Sequence, residues 1–140
     1  VNRLSSGLTV AAVVAALAFS APARSLGADR QVAYTQGQLA MGQAVYTQYC
    51  SGCHLATLAG NPATKPPRPP LTGPRWVAHW QGKTAADLFG FISTNMPFGH
   101  GGTLSRDQYL AATAYILSQN GVGSVGTLLD DKSLPKIALP

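Results

Sequence analysis

Cys50-Ser51-Gly52-Cys53-His54 holds the chain's only two cysteines among its 140 residues. This C-x-x-C-H run is the pattern of covalent c-type haem attachment: two thiols add across the vinyl groups of one haem, and the adjoining imidazole becomes an axial ligand of its iron. Other uses of a C-x-x-C pair make demands that this sequence does not meet. A dithiol redox site sits beside a βαβ pattern, and none is visible. A structural zinc site gathers four nitrogen or sulfur ligands at close spacing, yet beyond His54 only the distant His79 and His100 remain. With no second C-x-x-C-H and no internal repeat, one haem per chain is expected.

Working upstream, Tyr34-Thr35-Gln36 opens a stretch in which Leu39, Gly42, Val45, Tyr46 and Tyr49 recur at helical spacing. A helix over 36–49 leading straight into Cys50 is predicted. Further back, Arg3 precedes an apolar run from Leu8 to Ala21 that is shorter than the ~20 residues of a membrane-spanning helix. Ala21-Pro22-Ala23 and Leu26-Gly27-Ala28 each offer a small-residue cleavage pattern, so residues 1–28 read as a secretory signal peptide, cut after Ala23 or Ala28. An uncleaved anchor is the alternative. The remainder, 29–140, reads as one domain with no membrane span of its own.

Downstream, six prolines between Asn61 and Arg75 fix φ and remove backbone donors, which predicts an extended loop with neither helix nor central strand. Thr84-Ala85-Ala86-Asp87 caps a second helix, with Leu88, Phe91 and Ile92 on one face, that ends near Thr94 before Met96-Pro97. A capping box from Ser105 to Gln108 starts a third, carrying Leu110, Ala111, Ala114, Tyr115 and Leu117 and stopping at Gly121. The tail beyond Gly123 shows little periodicity, with Leu128, Leu129, Leu134, Ile137 and Leu139 as packing candidates. No strand pattern stands out, so the class is all-α.

His54 supplies one axial position, and Met96 is the candidate for the other. Proline biases the residue before it away from helical backbone, so Met96 leaves its helix extended and able to aim its thioether inward. Met41 lies on the wrong side of the attachment site, and His79 and His100 are the rival ligands. Thioether sulfur favours reduced iron and raises the potential, whereas a second imidazole lowers it. Two protein ligands leave no open coordination position, which points to electron transfer over oxygen or substrate chemistry. From residue 29 on, eight Lys and Arg face five Asp with no basic stripe, so nucleic acid is an unsuited partner.

Over nearly all of 29–140 the chain resembles class I c-type cytochromes. Gly42 and Tyr46 resemble that family's small and aromatic pair on the first helix, and Tyr115 its partner on the last. Pro69-Pro70-Leu71-Thr72-Gly73 resembles the family's Pro-x-Leu-x-Gly. The resemblance implies a cytochrome c fold of three or more helices around one covalently bound haem c. It also implies that the Pro69 carbonyl, or in an alternative register that of Pro70, accepts a hydrogen bond from the axial imidazole. Trp76 or Trp80 is a candidate donor to a haem propionate. Haem attachment in this family occurs after export, which implies a periplasmic location.

More narrowly, Trp80-Gln81-Gly82-Lys83-Thr84, Met96-Pro97, Gly102-Thr103-Leu104-Ser105 and the tail resemble cytochrome domains of pyrroloquinoline-quinone-dependent alcohol dehydrogenases and their small acceptor partners. The implied function is carriage of single electrons from a dehydrogenase, such as a quinoprotein, to a terminal oxidase or reductase. A cytochrome subunit of a dehydrogenase complex and a haem sensor or peroxidase-like enzyme are the alternatives. Docking is expected near Cys50 at a small apolar patch around Pro97, Phe98 and Gly99.

Overall fold

The computed structural model describes residues 32–140; the expected signal peptide lies outside them. Helix α1 (Gln36–Tyr49) begins where the Thr35 side chain accepts the Gln38 N–H, an N-cap that satisfies one orphan donor. Its Gly42 meets the last long helix, α5 (Arg106–Gln119), so closely that a Cβ there would overlap the Ala111 carbonyl. Glycine in a helix interior costs about 1 kcal/mol relative to alanine. Here that cost is offset by a close helix crossing, with the Tyr46 and Tyr115 rings packed beside it at a centroid distance of 5.4 Å.

After α1 the chain makes one further turn, α2 (Ser51–His54), then runs through the proline-rich segment, where Asn61 and Arg68 exchange backbone hydrogen bonds. No helix is expected between the Cys50–His54 motif and Thr84, yet α3 (Pro74–Trp80) is present. Pro74 sits in its first turn, where a missing N–H is no loss and a fixed φ is already helical. The expectation of an extended segment to Arg75 therefore overran by two residues. Helix α4 (Ala85–Asn95) and α5 carry the two reciprocal caps read from the sequence, Thr84 with Asp87 and Ser105 with Gln108.

Among the described residues the architecture is all-α apart from one small ladder. β1 (Val32–Tyr34) pairs in parallel with β2 (Ser124–Val125). Segments of three and two residues are too short to leave an alternating pattern, and that is why the sequence hid them. From there the tail wraps back over the helices. The Ala85 N–H donates to the Ile137 carbonyl and the Leu139 N–H to that of Lys83, and Leu129, Leu134, Ile137 and Leu139 are all buried. Leu128, expected to pack, is 57% exposed because its neighbour Leu129 takes the inward position. Among the described residues, no helix is long and apolar enough to cross a membrane.

Candidate functional site

The α2 turn explains the spacing of the motif. The Cys53 and His54 N–H groups both donate to the Cys50 carbonyl, at 3.1 and 2.9 Å, so positions i, i+3 and i+4 share one face. That face borders a cavity of about 470 Å³ lined by Cys50, Cys53, His54, Pro69 and Met96 among others. Met96 caps α4 with extended backbone (φ −120°, ψ 150°), as expected of a residue preceding proline. Met41 is 44% exposed on α1 and does not reach the cavity; His79 lies at its wall but exposed, and His100 is exposed outside it.

His54 is buried, and its Nδ1 stands 2.8 Å from the Pro69 carbonyl oxygen. A carbonyl only accepts, so Nδ1 carries the proton and Nε2 keeps its lone pair. The contact is to Pro69, not Pro70. Burial pushes the His54 pKa down; the Pro69 hydrogen bond opposes this and nearby Arg68 adds to it. A neutral imidazole with a free Nε2 is the form that ligates a metal. Burial, with Cys53 nearby, raises the Cys50 thiol to about 11, whereas a reactive dithiol site lowers it.

Several supporting contacts left no mark in the sequence pattern. Leu55 and Leu58 follow the motif with φ of 64° and 60°, values that strain a side-chain-bearing residue. The buried Tyr46 hydroxyl donates to the Leu55 carbonyl at 2.6 Å, and the Leu71 N–H to that of Leu58 at 2.8 Å, tying this bend to the proline loop. Gly60 (φ 75°) lies so near the Pro69–Pro70 peptide that a Cβ would come within 2.6 Å of Arg68 O. The Tyr109 hydroxyl donates to the Met96 carbonyl at 2.7 Å. Such contacts pair residues far apart in the chain, beyond the reach of local periodicity.

Two polar atoms test whether a haem suits these walls. Trp76 is 2% exposed, yet among the described residues its indole Nε1–H has no partner, and neither has the buried Nε–H of Arg68. Both residues border the cavity. Buried donors are nearly always satisfied, so two orphans on a largely apolar wall call for an acceptor carried by a bound group. An apolar ring system with carboxylate arms supplies it. Together with paired thiols and a free imidazole nitrogen, the donor set fits haem.

The sequence model of the family described as cytochrome c oxidase, cbb3-type, subunit III, matches residues 37–116, more than half of the chain. The chain is a class I c-type cytochrome. Membership implies covalently bound haem c, with Cys50 and Cys53 present for it. A chain of the sulfane dehydrogenase SoxCD from Paracoccus pantotrophus shares the cytochrome's fold with a TM-score of 0.54. The likeness covers 91% of this chain and 69% of that one at 22% identity. No curated protein gives a significant match.

Proposed function

We propose that this cytochrome is an electron carrier and not an enzyme, tethering its haem through Cys50 and Cys53 and holding the iron between His54 and Met96. The observation that carries the reading is the placement of His54 and Met96 on the wall of one apolar cavity, each with its backbone surroundings fixed. When bound, a haem supplies a one-electron couple at its iron. The protein's part is to hold both ligands in place, so that neither position opens to substrate, and to exclude water with apolar walls. Pro69 orients His54 and fixes its tautomer.

Trp76 and Arg68 are assigned to the haem carboxylates. Beside the cavity, Phe98 is 62% exposed with the Arg68 guanidinium 4.3 Å above its ring centroid, which supports this apolar edge as the docking face for a redox partner. The proposed setting is the periplasm, after cleavage of the leader at Ala23 or Ala28. The donor is a dehydrogenase, of which a quinoprotein is one candidate class, and the acceptor a terminal oxidase or reductase. Permanent association with a dehydrogenase as its cytochrome subunit is the second reading, supported by the fold likeness to a chain of SoxCD.

The test is absorption spectroscopy of holoprotein made with c-type maturation machinery, beside Met96→Ala. A weak long-wavelength ferric band that is lost in the variant establishes the thioether ligand. Its absence from the parent, with carbon monoxide binding to the reduced protein, would turn the function toward sensing or catalysis.

A further inference from the structure

We infer that Tyr109 is a positioning residue that closes the loop from Met96 to Leu104 and thereby keeps the sixth coordination position shut; this rests on Met96 being the ligand. Tyr109 stands in the first turns of α5, is 3% exposed, and is not part of the cavity lining. Its hydroxyl donates to the Met96 carbonyl at 2.7 Å and accepts the Leu104 N–H at 3.4 Å. One oxygen thus joins the two ends of the loop. The ring is fixed in turn by burial and by the Ser105–Gln108 cap that starts its helix.

The rest of the loop folds onto the end of α4. The Gly102 N–H donates to the Ser93 carbonyl at 2.9 Å, and the Thr103 hydroxyl to that of His100 at 2.7 Å. Gly101 lies against the Thr94 carbonyl, where a Cβ would overlap it. Beyond Leu104 the helix cap holds the chain, and before Met96 its own N–H is bonded to the Ile92 carbonyl. The loop between is free to lift only if the Tyr109 contacts and the Gly102 bond are released. Met96 would move with it.

Tyr109→Phe keeps the ring and removes only the oxygen. With added imidazole as the competing ligand, ferric Tyr109→Phe holoprotein is expected to bind it about three- to tenfold more tightly than the parent, the effect of losing one or two modest hydrogen bonds. Gly101→Ala, which pushes the loop off Thr94, should shift the affinity in the same direction. Thr113→Val is the control. It removes another buried hydroxyl of α5, bonded to the Tyr109 carbonyl, and should leave imidazole affinity unchanged whatever it does to the unfolding midpoint. A parent with the thioether band and a Tyr109→Phe variant with unaltered imidazole affinity would overturn the inference. A parent without that band would overturn the Met96 assignment instead.

Discussion

Gln38 grips the backbone of Leu129 on both sides. Its side-chain amide donates to the Leu129 carbonyl at 3.0 Å, and its side-chain oxygen accepts the Leu129 N–H at 2.8 Å. The pair is buried and spans 91 positions, so a single glutamine stands in for a neighbouring strand and anchors the tail to α1. Gln38→Ala would orphan both backbone groups, each at about 1–3 kcal/mol when water cannot reach it. Holoprotein Gln38→Ala should lose at least about 2 kcal/mol in denaturant unfolding. A loss below 0.5 kcal/mol would mean that water replaces the amide.

The α1–α5 crossing gives a second expectation. Gly42→Val would drive a branched side chain into the Ala111 carbonyl and the Tyr115 Cβ, both in a helix that has no freedom to retreat. Overpacking of a close contact costs about 1–3 kcal/mol, and more where the obstacle is backbone. The unfolding midpoint should fall accordingly, while Gly90→Ala, on a helix with open space around that position, should leave it unchanged or raise it.

These contacts also mark what the sequence could and could not reveal. The bounds of α1 and the caps of α4 and α5 rest on local rules, namely apolar spacing and Ser or Thr three residues before a partner, and those rules hold here. Met96 left its helix where Pro97 required. Helix α3 is hidden because five prolines outweigh the sixth, Pro74, that starts a helix. Gln38 reads as an ordinary surface residue until the tail folds over it. Tyr109 does not stand out in the sequence, since its hydroxyl partner belongs to another element. Gly60 has no local signature at all, because its reason is the approach of a peptide nine residues away.

Two carboxylates that accept backbone N–H bonds, Asp87 in the cap of α4 and Asp130 in a turn of the tail, set an acid dependence. The Thr84 backbone and hydroxyl hold Asp87 below the usual carboxylate pKa, and the Ser133 backbone and hydroxyl do the same for Asp130. A folded-state pKa lower than the unfolded one contributes stability that is complete above the unfolded value, about 4, and is lost as pH falls through the folded one. Acid titration of the unfolding midpoint should therefore show a decline beginning below about pH 5. The decline should be shallower in Asp87→Asn with Asp130→Asn, and an identical acid limb in that double variant would rule out these two carboxylates as its source.

The Pro69 carbonyl reaches His54 only because Gly60 leaves room for the peptide that carries it. A Cβ at 60 would press on Arg68 O and on the Pro69–Pro70 peptide, and alanine would also have to adopt φ near 75°. Gly60→Ala should therefore lengthen the bond from His54 Nδ1 without touching either proposed ligand. A weaker acceptor makes the imidazole a poorer donor, which disfavours the oxidised centre, so the midpoint potential should rise. The Nδ1 proton, followed by NMR in the reduced protein, should exchange faster with solvent as its acceptor withdraws. A raised potential with unchanged exchange would place the effect elsewhere in the loop; faster exchange with no change in potential would show that the Pro69 bond orients the ring without tuning it.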